Sequence, residues 1–403
     1  MSETTCSSGF LLRRRTLRRR HLKGLPRLPA SSLLLVRLPS FLAVLLATLL
    51  HALSNLPGAD TATYYVSSTA GADTNDGLSL GAPFLSLQKC VDAIKADVAG
   101  SECQLREGEY YSDNSVFVER LEGTAAQPYV IQAYQKETVK IVGTRDVTEG
   151  GGSAWTWTTA NLAGGGAGAG HWSIELPAGF PDPWQLFVDG EVYMNARWPN
   201  GRWDDKSVFT RSAWAFSATE TSYVDTVGAT STVWDSCCGT SAGVTGESLQ
   251  AAGIDATGAH VIINIGSWIT YPAPVLSHTR GTGSFTFSKQ DGWASVQTGG
   301  TVGAMKYYLE NKLELLDAAM EWFYDKATRR IHLITKNGAN PNTMRVQARV
   351  QEYAIRSTKT KYLTLKNLQF FGTTVWFGAM NQNSDNVKGI RMDSLESCLA
   401  LNS

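Results

Sequence analysis

After one helical stretch the chain offers only short apolar runs, each cut off by glycine, proline, aspartate or asparagine, and that pattern excludes most folds. Cys103–Leu105, Val116–Val118, Tyr129–Ala133 and Val139–Val142 are such runs, with no helix-period segment between them. Strands joined by loops, without crossover helices, rule out a doubly wound sheet and leave the coils of a solenoid or a sandwich. The one helix is expected near 84–99, where Leu85, Leu87, Val91, Ile94 and Val98 recur at helical spacing behind Pro83. Ahead of it, Ala62–Ser67 reads as a strand and Thr69–Ser79 as a turn-rich loop.

Farther along, the texture changes and then returns. Residues 148–170 are rich in glycine and read as a boundary loop. Strand candidates follow at His171–Leu176, Trp184–Val188, Val192–Ala196, Val261–Ile265 and Phe285–Phe287. Trp322–Tyr324 and Ile331–Ile334 flank Asp325–Arg330, a hairpin signature. The block 171–345 is expected to be an inserted antiparallel β module, with 212–258 its least regular part. From Val346 the first pattern resumes, and Leu363 set against Val387 aligns Leu365 with Gly389 and Leu368 with Met392 at an offset of 24. A repeat in the twenties suits one coil of a β-solenoid. The expected organisation is therefore an N-terminal address over 1–54, a cap and first coils over 62–147, a Gly-rich loop and inserted module over 148–345, and resumed, incomplete coils over 346–403.

The N-terminus carries nine of the 36 Lys and Arg residues and one of the 36 Asp and Glu residues before position 55. The remainder holds 27 basic against 35 acidic residues, a net charge of −8. A body this acidic is a poor partner for phosphate backbones, so nucleic acid is not expected. The basic run 13–27 precedes an apolar run at Phe41–Leu50, which at ten residues is half of what spans a bilayer alone. Small residues Ala52 and Ser54 fit a signal peptide cut after Ser54. An uncleaved type II anchor is the alternative, and would be the only membrane attachment. Either way the body is expected outside the cytoplasm, secreted or membrane-tethered. Cys90 and Cys103 are spaced to close a small loop as a disulfide in that compartment, or to lie buried as free thiols.

Tyr64–Val91, with its strand, Asp/Gly loop and helix, is similar to the N-terminal portion of the right-handed parallel β-helix (pectate-lyase-like) carbohydrate-active proteins. Leu105–Tyr111 (LREGEYY) and Gly123–Gly143 resemble their first coils, and Phe187–Asn200 and Glu321–Leu333 resemble a β module inserted in a subset of them. The resemblance covers about 62–403 in pieces. It implies an all-β fold, a right-handed parallel β-helix with an N-terminal cap helix and an inserted antiparallel module. It also implies a polysaccharide partner, and action as a lyase or glycoside hydrolase, with a non-catalytic carbohydrate-binding or matrix protein as the alternative. Such proteins carry their catalytic groups on central coils beyond those visible here, so the chain is expected to lack them and to be inactive alone.

Residues that bear chemistry are few. Arg197, Trp198, Arg202 and Trp203 cluster two guanidinium groups and two indoles able to meet a sugar; the competing reading ties Arg197 to backbone carbonyls with Trp198 buried. Arg391 and Asp393 alternate onto one strand face and form the candidate catalytic pair, against a reading as solvated charges. The histidines form no metal-binding spacing, and no cofactor is expected. Calcium has no supporting motif either, because Asp73–Gly77 (DTNDG) places its glycine fifth rather than sixth. N-terminal sequencing of the secreted product is expected to begin near Asn55; an intact N-terminus in a carbonate-resistant membrane fraction would establish the anchor instead.

Overall fold

The structure, a computed structural model, describes residues 61–111, 115–159, 170–210, 213–218, 221–236, 248–266, 269–293, 305–378 and 387–398. The expected leader, residues 160–169 of the Gly-rich stretch and Cys237–Cys238 lie outside them. The regular structure is mostly β, 42% strand against 11% helix, as expected of an all-β protein.

Three of the sheets are parallel throughout. The first contains Thr63–Val66, Glu102–Leu105, Tyr129–Ala133, Leu363–Lys366 and Arg391–Asp393 in spatial order. The second contains Gly108–Tyr111, Val139–Val142, Gln369–Phe371 and Glu396–Cys398. The third contains Val116–Glu119, Ile355–Thr358 and Val375–Gly378. From Glu102 onward the chain visits first, second and third sheets in turn, so each circuit lays one strand on every face. Alternation drives this: in Tyr129–Ala133 every second side chain is buried, and Cys103, Ile131 and Leu365 stand in register inside the coil.

Circuit length is not constant, which corrects the register read from sequence. Thr364 pairs with Arg391 and Gln369 with Glu396, an offset of 27 rather than 24. Elsewhere Glu102 meets Val130, Gly108 meets Val139 and Ile355 meets Val375, so turns absorb different numbers of residues. A hydrophobic match alone cannot see this, because shifting a strand by an odd number exchanges its faces while the turns hide the difference.

The helix spans Leu87–Ala96, shorter than expected at both ends, and Ser86 caps it by accepting the Lys89 N–H at 3.2 Å. Its buried Leu87, Cys90, Val91 and Ile94 join the interior of the coil. A disulfide between Cys90 and Cys103 ties it to the first sheet. In the preceding loop, Asp73 accepts the N–H groups of Leu85 and Ser86, and Asp76 accepts that of Leu78; both carboxylates shape the turn.

Between Val142 and Ile355 the chain leaves the coil and builds two further sheets. One has eight strands, running from Thr144–Asp146 through Val346–Arg349, Leu186–Val188, Glu191–Asn195, Glu321–Asp325, Arg330–Ile334 and His171–Glu175 to Thr156–Thr158. It departs from the all-antiparallel expectation at one seam, where Met194 and Asn195 pair in parallel with Glu321 and Trp322. The hairpin at 321–334 forms as expected. The other sheet is antiparallel and includes Thr230–Trp234, His260–Gly266, Ile269–His278, Ser284–Ser288 and Lys306–Glu310. Ile269–His278 escaped sequence reading because Pro272 and Pro274 interrupt it. Both prolines sit in the half of the strand paired on one side only, where no ladder N–H is needed.

The excursion closes on itself. Thr144 pairs with Arg349, and the Gly143 carbonyl accepts from both Val350 and Gln351 at 3.1 Å. Val346–Arg349 thus runs antiparallel inside the eight-stranded sheet, and the parallel coil resumes at Ile355. Arg349 is fully buried; it donates to the carbonyls of Gln351 and Glu352 at 3.1 and 2.7 Å, and stacks 4.1 Å from the Trp184 ring.

Two stability experiments follow. Cys90→Ser with Cys103→Ser is expected to cost about 3 kcal/mol by releasing a loop of 13 residues, read as a lowered denaturant midpoint. Arg349→Ala is expected to cost on the order of 3 kcal/mol, because it removes a buried guanidinium and strands the buried Gln351 carbonyl, along with the part-buried Glu352 carbonyl, where the excursion rejoins the coil.

Candidate functional site

The second sheet carries its chemistry outward. Because Tyr110 points into the coil, its neighbours Glu109 and Tyr111 point out, and Glu109 stands in a row with Lys140, Gln369 and Glu396 on successive strands. Lys140 Nζ lies 3.3 Å from Glu109, and Gln369 Nε2 donates to Glu396 at 2.9 Å. In the neighbouring column Val142 and Phe371 meet Phe187 and Val192 of the inserted module, with Trp203 half-buried against them. The Phe187 and Phe371 rings are 4.8 Å apart. The module is therefore seated on this face.

At one end of the row a cleft of about 520 Å³ opens between the helix start and the second and third sheets, lined among others by Ser86, Gln88, Glu109, Tyr111, Val116 and Gln351. Arg345, just ahead of the returning strand of the excursion, reaches Glu109 at 3.1 Å and also donates to the Tyr111 hydroxyl. Tyr111 in turn donates to Glu109. Burial raises the Glu109 carboxyl, but the hydrogen bonds from Arg345 and Tyr111 and the charges of Arg345 and Lys140 outweigh it and hold it at about 2. Burial and the Glu109 carboxylate push Tyr111 up to about 12. At neutral pH the cleft thus offers a permanent carboxylate, a permanent cation and a protonated phenol. This set binds and orients hydroxyl groups, whereas a carboxylate held near 2 has no proton to give.

The residues singled out from sequence scatter. Arg197 is buried inside the module and donates to the carbonyls of Pro199 and Ala213 at 3.0 and 2.5 Å, with its guanidinium 3.8 Å from the Tyr308 ring. Trp198 is 6% exposed and packs near Tyr307. Arg202 is held bidentate by Asp204 at 2.9 Å. Trp203 alone packs against the cluster that joins the module to the second sheet, edge-on to Phe209, which is 72% exposed. Arg391 and Asp393 lie on the outer face of the first sheet, on a different side of the coil, and pair with each other at 3.2 Å. Sequence reasoning missed Glu109, Tyr111 and Arg345. Alternation about Tyr110 marks the first two as outward, but Arg345 is 236 residues from Glu109 and no local pattern links them.

Within the module, His171 Nε2 and His332 Nδ1 meet at 2.9 Å. Burial, then the neighbouring His332, holds His171 at about 4, so it is neutral at pH 7. Among the described residues no group of three or more His, Cys, Asp or Glu gathers to hold a metal ion.

No protein-family model matches the chain, and no curated protein matches it. Among solved structures, one described as a glycoside hydrolase is 19% identical with a TM-score of 0.51, over 78% of this chain and 51% of that one. A second, XylC in complex with xylose, is 14% identical with a TM-score of 0.33, over 76% of this chain and 35% of that one. The chain spans about half the length of the first and less of the second. The likeness to the first is one of fold.

Glu109 gives a pH test. Its folded value lies below its usual 4.5, so its contribution to stability is present above that value and is lost as pH falls toward about 2. Wild type is expected to lose more stability than Glu109→Gln across that window, measured as the change in thermal midpoint with pH; parallel curves would contradict the ion pair.

Proposed function

We propose that this protein is a right-handed parallel β-helix protein that holds polysaccharide across the outer face of its second sheet, between the Glu109–Tyr111–Arg345 cleft and the Trp203–Phe209 edge of the inserted module. The carrying observation is the coil itself: three parallel sheets visited in turn, with a row of polar side chains on one face and an aromatic module seated beside it. Crossovers between parallel strands are right-handed in about 98% of cases, which supports that hand. The solved structure described as a glycoside hydrolase supports a carbohydrate partner. The Cys90–Cys103 disulfide supports a body secreted or displayed outside the cytoplasm.

Binding rather than cleavage is the reading for the described residues. Hydrolysis of a glycosidic bond uses two carboxyl groups, one of them protonated, about 5–10 Å apart. Glu109 is the carboxylate lining the cleft among the described residues, and it is held ionised. Catalysis as a hydrolase or lyase would draw on groups beyond them.

The full chain is expected to co-sediment with insoluble xylan or another plant or microbial wall glycan, with Trp203→Ala and Phe209→Ala each weakening retention several-fold without changing the circular dichroism spectrum. No release of reducing ends or unsaturated uronates from xylan, pectate, alginate or fucoidan is expected. Turnover abolished by Glu109→Gln would overturn the binding reading and make the cleft an active site.

A further inference from the structure

The turns that lead from the third sheet to the first stack on one another and carry cations on successive circuits. Glu119 and Thr358 pair across the third sheet, and the residues after them, Arg120 and Lys359, both take left-handed conformations with φ of 55° and 53°. Their side chains therefore leave the backbone from equivalent points of neighbouring turns. Two residues further, Glu122, Lys361 and Lys388 are bridged in parallel on three successive circuits. Lys95, in the last turn of the helix, approaches from the side. Lys95, Arg120, Glu122, Tyr129, Lys359 and Lys361 enclose a pocket of about 430 Å³.

The charges in this pocket are unbalanced. Glu122 pairs with Lys361 at 3.1 Å. Lys95, Arg120 and Lys359 have no carboxylate partner among the described residues. Beyond position 55 the chain has 27 basic and 35 acidic residues, so this concentration of cations runs against the composition of the body. Like charges held together in a concave site repel each other and draw counter-ions. Because the turns stack at the strand spacing, about 4.8 Å, the cations form a row along the coil axis. A linear polymer with regularly placed anions meets the whole row, whereas a single small anion meets one step of it.

We infer that this turn stack is an oxyanion-binding groove for the carboxylates or sulfate esters of a linear acidic polysaccharide. The inference rests on the polysaccharide reading above and names the charge class of the glycan. The groove lies away from the Glu109 cleft and gives the polymer a second point of attachment.

The test uses the full chain with polygalacturonate and dextran sulfate as acidic probes, neutral xylan as the control glycan, and inorganic sulfate and single-stranded DNA as competitors. Affinity electrophoresis is expected to show binding of the acidic probes that weakens as salt rises from 0.1 to 1 M, where the screening length falls from about 10 to about 3 Å. Arg120→Glu with Lys359→Glu is expected to weaken acidic-probe binding about tenfold while leaving xylan binding unchanged. Lys95→Glu, on an exposed helix position outside the stacked turns, provides an independent variant should the double reversal disturb folding. Unchanged acidic-probe binding in both variants, with xylan still bound, overturns the inference and leaves the polysaccharide reading standing. Binding of no glycan at all overturns both. Inorganic sulfate that competes as well as its polymer equivalent, or DNA that binds more tightly than polygalacturonate, assigns the groove to another ligand and overturns the inference.

Discussion

Everything in this molecule depends on one return. Tyr129–Ala133 needs a strand on its far side, and the strand that supplies it, Leu363–Lys366, comes from beyond the whole inserted module. Ile131 is covered by Leu365 only because the chain comes back to the point it left. The seam that enforces this is local: Thr144 against Arg349, Gln347 donating to Thr144 at 3.0 Å, and the Gly143 carbonyl shared by two N–H groups. Gly143 is required there, since a Cβ would come within 2.5 Å of Thr373 and 2.7 Å of the Gly372 carbonyl. Arg349 completes the seam by bonding backbone carbonyls, so its charge is used for hydrogen bonds and for stacking on Trp184.

That seam also explains where the chemistry collects. Arg345 reaches Glu109 because it immediately precedes the returning strand Val346–Arg349, and Phe187 reaches Phe371 because Leu186–Val188 is the next strand in the same sheet. The cleft is thus a consequence of how the module is anchored. Its electrostatics follow from the same placement, since a cation delivered to an outward carboxylate fixes that carboxylate in its charged form.

Much of the coil was legible in the sequence. Tyr129–Ala133 and Val139–Val142 appear with the expected bounds, and the 321–334 hairpin forms around its turn. These are segments whose local alternation agrees with the burial they finally receive. What could not be read depends on partners distant in sequence. The 27-residue offset between the last two described circuits is set by turn lengths, not by apolar content. Ile269–His278 carries prolines that only its one-sided pairing tolerates. For Arg197 and Trp198 the sequence offered two readings, a sugar contact or a tie to backbone carbonyls with the indole buried, and the structure has the second, because an arginine beside an indole is as useful for closing a β core as for lining its surface.

The closure of the excursion has a consequence for the coil as a scaffold. Thr144 and Gln347 are 203 positions apart in sequence yet bonded side chain to side chain, and closing so long a loop costs only logarithmically more entropy than closing a short one. To the coil, the module occupies the place of a single turn. Its size, its sheets and its aromatic edge are therefore free to vary without disturbing the register on either side, provided the two strands at its base keep their pairing. The three parallel sheets supply the rail, and the module is a cassette clipped to them at one joint.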